Sequence, residues 1–473
     1  MEYRKESDCL GEVQVPASAL YGGQTQRAIH NFPISGRTLP REFIRALGLI
    51  KEAACLANVQ LGRLDKGNGQ AIAKAAMEVA EGLWDQHFVV DVYESGSGTS
   101  INMNANEVIA NRANQLLGGG LGLYEFVHPN DHVNMGQSSN DVIPSAIHIA
   151  ASETIARSLM PAMESLKSTL HEKSRQFKDV IKLARTHLQD ALPITLGQEF
   201  SAYASQVGKA IDRLSRAVSG LLELPLGGTA VGTGLHAPPA FVELAMRRIR
   251  ETTSIEFFTA TNACEAVAVR EAIVETSGHL KSTAVSLIKI ANDIRWMSSG
   301  PRCGLGEINL PALQPGSSMM PGKVNPVIAE SLMMACVTVL GLDAAIHVAA
   351  THGNFQLTAM MPMMADHLLE SIRLLSNGCR NLTCMCISKI EPNPSTLREY
   401  AHRSISLVTS LVPVVGYDMA ARIASEAYRS GKTVKDVALR LTSLSDEELD
   451  ELLDPLSLIP SAKRGGHGEG KRE

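Results

Sequence analysis

Aromatic residues are scarce, at 4% of 473 residues. So few rings leave little surface on which unpaired bases could stack. Neither sign of charge is in excess: 44 basic residues face 49 acidic ones, and the pI is near 6.3. That excludes the basic footprint of a nucleic-acid binder. Cysteines occupy positions 9, 55, 264, 303, 336, 379, 384 and 386, with no CxxC among them. Cys384 and Cys386 are the only close pair, and their spacing suits neither a zinc knuckle nor an iron–sulfur cluster. Buried free thiols in a reducing compartment are expected, hence a cytoplasmic protein. Met1 to Asp8 is polar and charged and has no apolar core of a secretory signal. Strand signals are few, with Phe88 to Tyr93 the one short β-branched run.

What is abundant is apolar residues at helical spacing. Leu196, Phe200, Tyr203, Val207, Ile211, Leu214, Val218 and Leu221 form one continuous helix face, roughly 40 Å long at the α-helical rise. Ile155, Leu159, Met163, Leu166 and Leu170 do the same upstream, with Pro161 expected to kink that helix or mark its start. Ala263 to Ile294 is a third long helix with only Gly278 as a breaker, Val327 to Ala350 a fourth, and Leu368 to Ile390 belongs to a fifth. The segment Ser331 to Ala350 is long enough to span a bilayer. Asp343 and His347 interrupt it, and it has no positive flank or aromatic belt. It reads as the buried central rod of a helical bundle, with no membrane partner.

The fold class is therefore mainly α, with a central bundle of long helices. Domain boundaries are expected at 1–135 for an N-terminal domain, 136–394 for the bundle, and 395–461 for a small C-terminal helical domain that includes Tyr417-Asp418 and a helix over Ala420 to Ala438. A basic, Gly-rich tail over 462–473 is expected to be disordered.

Residues with chemistry collect in the Gly-, Pro- and Asn-rich breaks between helices. The densest is Gly316-Ser317-Ser318-Met319-Met320-Pro321-Gly322-Lys323-Val324-Asn325-Pro326. Glycine lets backbone approach a ligand, Lys323 offers a point charge to a carboxylate, and Asn325 can donate and accept. The apolar helix that follows adds an N-terminus, which favours anions. The same residues also suit a plain turn, with Ser317 and Ser318 as helix caps and Lys323 in solvent. From spacing alone both readings stand.

Three further segments narrow the choice. They are Ser95-Gly96-Ser97-Gly98-Thr99 continuing to Arg112, His128-Pro129-Asn130-Asp131 continuing through Gln137-Ser138-Ser139-Asn140-Asp141, and Thr186-His187-Leu188-Gln189-Asp190. In this order, with the loop at 316–326, they resemble the signature segments of the fumarase/aspartase superfamily over nearly the whole chain. Members eliminate a group β to a carboxylate and release a fumarate-type product. The resemblance implies a three-domain lyase fold and no metal or organic cofactor. It assigns Ser317 as the base on carbon and His187 as the acid for the leaving hydroxyl. Glu330 pairs with His187; a first-turn acid there also complements the helix dipole. Ser97, Gly98, Thr99, Ser138, Ser139, Asn140, Thr186, Ser318, Lys323, Val324 and Asn325 line the substrate. His128, Pro129, Asn130 and Asp131 would form an accessory dicarboxylate site. Their Pro-Asn-Asp turn chemistry does not suit a helical metal pair.

Gly23 to Arg27, Cys303 to Glu307, Gly322, Ser139, Gly353-Asn354-Phe355 and Glu391-Pro392-Asn393 resemble class II fumarases. Thr99-Ser100 and Leu313-Gln314 lean towards aspartases, and Gly136 replaces a serine common to both. The balance implies reversible hydration of fumarate to (S)-malate, as in the tricarboxylic acid cycle. Aspartate ammonia-lyase is the alternative within the superfamily, and a non-catalytic helical scaffold is the alternative outside it. The resemblance also implies a homotetramer with active sites shared between chains. The long helices separating the motifs give a physical reason, because each holds its ends tens of ångströms apart.

Overall fold

The computed structural model describes residues 2–459. The expected disordered tail at 462–473 lies outside them. The architecture is mainly helical. In chain order come strands β1 (Tyr3–Asp8) and β2 (Gly11–Pro16), then helices α1 (Gly23–Asn31), α2 (Arg41–Gln60), α3 (Lys66–Ala80), α4 (Thr99–Leu116), α5 (Ser139–Thr154) and α6 (Met160–Gln176). Strands β3 (Ile181–Thr186) and β4 (Gln189–Thr195) precede α7 (Leu196–Leu221), α8 (Pro239–Thr253), α9 (Ala263–Ala268), α10 (Glu271–Met297), α11 (Val327–Ala350) and α12 (Met361–Met385). Shorter helices follow: α13 (Pro394–Arg403), α14 (Val412–Val415), α15 (Tyr417–Ser430), α16 (Val434–Leu441) and α17 (Asp446–Leu452).

Two compact units share the long helices. One comprises 1–162, 210–285 and 334–377; the other comprises 163–209, 286–333 and 378–473. In the first, α2 packs on α3, α5 and α8, with Phe43, Leu47, Ile50 and Ala54 fully buried. Helix α4 is unusual there, because Asn102, Asn104, Asn106, Asn111 and Glu107 are buried with its apolar residues. Each has a structural task. Glu107 accepts the backbone N–H groups of Gly22, Gln24 and Thr25, which closes the start of α1. Asn104 donates to His87 O at 2.9 Å and accepts from Val89 N at 3.2 Å. In the second unit, Leu407, Leu411, Ile423, Val437 and Leu449 form a core of their own.

The apolar face expected over Leu196 to Leu221 is buried as α7, with Phe200, Leu214 and Leu221 at 0% exposure. The Pro161 expectation also holds. A π-helical turn at Ile155–Leu159 ends α5, and Met160 N–H bonds to Ile155 O, so Pro161 enters just as α6 begins.

Four local expectations differ. Phe88 to Tyr93 is no strand; Asp91 makes one isolated bridge to Thr38, and its carboxylate holds the N–H groups of Ser35 and Gly36 at 2.7 Å. The helix from Ala263 breaks at Val269, not at Gly278, which lies inside α10. The buried Arg270 guanidinium causes this, because it folds back onto the last carbonyls of α9 at Ala266 and Val267. The helix over Ala420 to Ala438 is two helices, since Thr433 opens α16 with a capping box to Asp436.

The fourth concerns the expected buried rod, α11. It is the one helix among the described residues long and apolar enough to cross a membrane, yet only 33% of its most apolar window is buried within the chain. Met334, Val337 and Val348 are exposed at 67%, 59% and 59%. This chain by itself supplies too few neighbours to cover that face.

Candidate active site

The loop at 316–326 closes on itself. Gly316 N–H donates to Lys323 O at 2.8 Å, and Asn325 Nδ2 donates to Gly316 O at 2.7 Å. A Cβ at position 316 would run into the carbonyl of Lys323, so only glycine fits there. Inside the closed loop, Ser317 Oγ accepts the backbone N–H groups of Met319 and Met320, both at 3.1 Å. This is the turn-capping arrangement. It also aims two fixed donors at the atom that would bear charge in an alkoxide, so the capping geometry is also one that would stabilise an alkoxide. Lys323 is exposed, and its side chain makes no hydrogen bond or ion pair among the described residues. Its ammonium is free for a carboxylate. Ser318 and Val324 are exposed beside it, and α11 starts at Val327 with Glu330 in its first turn.

Thr186 and His187 lie on a β-hairpin. Strands β3 and β4 pair antiparallel, with Thr186 opposite Gln189, so His187 and Leu188 alone make the turn. Both have positive φ, +56° and +60°. That is the backbone of a type I′ turn, which Asn and Gly normally supply. Non-glycine residues in this left-handed region carry backbone strain. His187 is exposed, and its ring makes no hydrogen bond among the described residues. The hairpin base is held instead. Glu307, with no side-chain exposure, accepts from Arg185 Nη1 at 2.5 Å and lies 3.2 Å from Lys182 Nζ, which also pairs with Glu199.

The loops at 97–99 and 138–140 sit at the starts of α4 and α5. Gly98 has φ +74°, and a Cβ there would lie 2.7 Å from Ile143 Cγ1. Ser97 Oγ and Thr99 Oγ1 share a hydrogen bond of 2.8 Å, which leaves one hydroxyl hydrogen of the pair to donate outward. The N–H groups of Ser100 and Ile101 already bond to Glu94, whose pKa burial raises. The hydroxyls, not those two amides, are therefore the available donors. Ser138 caps α5 in a capping box with Asp141. Asn140 Nδ2 donates to Ala230 O at 2.8 Å, leaving its second hydrogen and Oδ1 free.

At 128–131 the geometry is a π-helical turn over Pro129–Val133 capped by its own histidine. His128 Nδ1 accepts the N–H groups of Asn130 and Asp131 at 3.3 Å, and His132 Nδ1 accepts His128 N–H at 2.9 Å. Both rings therefore turn Nδ1 inward. Only Nε2 of each, with the exposed Asn130 amide, faces away from the backbone.

Comparison with known proteins agrees with these segments. The family model described as Lyase matches residues 11–341, and the one described as Fumarase C C-terminus matches residues 407–460. The class II fumarate hydratase of Neisseria meningitidis is 49% identical over 97% of this chain and 99% of its own length. The mitochondrial fumarate hydratase 1 of Arabidopsis thaliana is 48% identical over 97% of this chain and 93% of its own length. The crystal structure of class II fumarase from Schistosoma mansoni superposes with a TM-score of 0.94 at 37% identity, covering 97% of this chain and 99% of that one.

The chain belongs to the class II fumarases.

In this class II fumarase the predicted residues fall into two sets. Ser97, Gly98, Thr99, Ser138, Ser139 and Asn140 belong to one compact unit; Thr186, His187, Ser317, Ser318, Lys323, Asn325 and Glu330 belong to the other. Asn102 links the two loops of the first set by donating to Ser139 Oγ at 3.1 Å. Among the described residues, no hydrogen bond joins any two of Ser317, His187, Lys323 and Glu330.

Sequence reasoning gave no structural role to three groups that hold these loops. Glu307 and Arg185 brace the hairpin, and nothing in their spacing announces it. Lys51 is fully buried in α2 and donates to Asn134 Oδ1 and Gln137 Oε1, both at 3.0 Å. Burial pulls its ammonium down to about 7, against the attraction of Asp141, whose own carboxyl burial pushes up to about 6. A signal for Lys51 existed: it follows Leu47, Leu49 and Ile50 on a helix whose charged residues would otherwise face out.

Proposed function

We propose that this fumarate hydratase works with Ser317 as the base on carbon and His187 as the acid, at sites completed by neighbouring copies of the chain. In the malate-to-fumarate direction, Ser317 alkoxide takes the C3 proton, and the electron pair moves into the adjacent carboxylate. Lys323, with Asn325, holds the negative charge that develops there. The C2–O bond then breaks as His187 protonates the departing hydroxyl, and water leaves. Glu330 orients the His187 ring, while Ser97, Thr99, Ser138, Ser139, Asn140, Thr186 and Ser318 position the substrate, with Gly98 and Val324 lining it. Hydration of fumarate is the reverse. The observation that carries this reading is the pair of amides aimed at Ser317 Oγ beside an unpaired Lys323. It answers the weakness of a serine hydroxyl as a base.

A homotetramer is part of the proposal. His187, Thr186 and Lys323 are exposed in the single chain, yet proton transfer to carbon needs a site that excludes water. The uncovered apolar face of α11 needs a partner as well, and copies of the same helix provide one. The domain division at 135 and 394 belongs to the same reading, and the separate core around Leu411 and Val437 supports the last piece. Residues 128–131 as an accessory dicarboxylate site rest on His128 Nε2 and the Asn130 amide, with the exposed Asp131 opposing a dianion. All eight cysteines are free, which supports a reducing, cytoplasmic setting.

The test is product identity. Fumarate alone should yield (S)-malate, and Ser317→Ala should lower kcat on the order of 100-fold or more with fold retained. A requirement for ammonium, with aspartate as product, would replace this reading by the aspartase one. Near-normal kcat in Ser317→Ala would remove the base assignment.

A further inference from the structure

Lys51 is a fully buried group of the first unit whose burial the reaction above leaves unexplained. Its side chain has 0% exposure and no carboxylate within ion-pair distance among the described residues. Two amide oxygens receive it instead, Asn134 Oδ1 and Gln137 Oε1. An ammonium only donates, so both amides must turn their oxygens towards it. Their nitrogens then point the other way, and each finds a carbonyl. Asn134 Nδ2 donates to Gln137 O at 3.2 Å, and Gln137 Nε2 donates to Val133 O at 3.0 Å.

The direction set by the ammonium continues outward. Asn134 Oδ1 also accepts from Asn102 Nδ2 and Asn106 Nδ2, each at 3.2 Å. Asn102 must therefore present its nitrogen to this side, and the same nitrogen donates to Ser139 Oγ at 3.1 Å. Ser139 is an acceptor towards the interior, so its own hydroxyl hydrogen is left to donate outward. An outward donor is what a carboxylate ligand requires.

We propose that Lys51 is a positioning residue for the substrate loop. As an ammonium, which only donates, it fixes the orientation of Asn134 and Asn102, and through them makes Ser139 a hydrogen-bond donor to a substrate carboxylate. The proposal rests on the reading that the 138–140 loop contacts substrate. Without the ammonium, Asn134 and Asn102 can reverse, and Ser139 can then turn its hydrogen inward.

A double-mutant cycle on the full-length enzyme tests this, with fumarate as the varied substrate. Lys51→Met keeps the unbranched side chain, one atom shorter, and removes the donors. Ser139→Ala removes the hydroxyl. Each should raise KM for fumarate about tenfold while kcat stays within about threefold, because neither touches Ser317 or His187. The double variant should be no worse than the poorer single variant within about twofold, since both act through one hydroxyl. A merely structural Lys51 would lower kcat and KM performance together and give a double variant near 100-fold, the product of the two effects. Either result overturns the proposal. If Lys51→Met does not fold, Asn134→Ala replaces it in the cycle with the same expectation, since Asn134 carries the connection. If Ser139→Ala leaves KM unchanged, the substrate reading of the loop fails and takes the proposal with it. If Ser139→Ala raises KM and the interior variants do not, only the role of Lys51 fails.

Discussion

Replacing Glu307 by Gln should weaken both the fold and the hairpin that carries His187. Glu307 has no side-chain exposure; Lys182 and Arg185 are 4% and 17% exposed. With Glu199, the cluster holds two positive and two negative charges. Gln keeps the shape and removes one negative charge, leaving a net buried positive charge. Breaking a buried pair this way typically costs about 3–5 kcal/mol. The geometry places this case at the low end. Arg185 Nη1 makes a true hydrogen bond to Oε1, whereas Oε2 has an ion contact with Lys182 but no hydrogen bond. Lys182 also keeps Glu199. A loss of about 3 kcal/mol is expected, read as a lower urea midpoint at fixed protein concentration. Arg185 is two residues before His187 on β3, so kcat should fall on the order of tenfold or more as the ring loses its position. Adding Arg185→Gln restores charge balance, so the double variant should lose less stability than the sum of the two singles. Stability within about 0.5 kcal/mol of the parent, or strict additivity, would refute the claim that this cluster holds the hairpin.

Other consequences follow from single positions. Gly98→Ala places a Cβ 2.7 Å from Ile143 Cγ1 at a φ of +74°. Left-handed strain and overpacking together should cost about 2–5 kcal/mol, and adding Ile143→Val should return part of it; an unchanged unfolding midpoint would contradict the close approach. Val337→Glu puts a charge on the exposed face of α11, and sedimentation should show species smaller than a tetramer with activity lost. A fully active tetramer would mean that face is not an interface. The ammonium of Lys51 is pulled by burial from 10.5 to about 7. Below the folded value both states hold the proton. Between about 7 and 10.5 the unfolded chain holds more protons, so Lys51 makes stability rise with pH there by up to about 1.4 kcal/mol per unit. Urea titrations across that window should show the stability difference, parent minus Lys51→Met, rising with pH; a constant difference would contradict the burial.

The long amphipathic helices were legible because they bury one face at a 3.6-residue period, as the stripe from Phe200 to Leu221 does. Their interruptions were not, because they depend on side chains folding back. Arg270 ends α9 through carbonyls in the preceding turn, which no period announces. The hairpin at 181–195 escaped because its turn uses His187 and Leu188 where Asn-Gly would be the readable signal. The loop at 316–326 was legible through its glycines and its Ser-Ser and Lys-Val-Asn runs. The interior behind the other loops was not. Lys51, Asn102 and Asn134 are far apart in sequence and meet only when α2, α4 and the 128–138 turn pack.

The central proposal is that each working site is shared between chains, with His187 and Ser317 supplied by different ones. Mixing His187→Ala with Ser317→Ala chains, unfolding and refolding them together, and assaying fumarate hydration tests it directly. Each parent alone should be nearly inactive. In randomly mixed tetramers about a quarter of sites should regain both groups, so activity should return to about a quarter of the unmutated level. Verified mixed tetramers with no recovered activity would place both residues in one chain and contradict the claim.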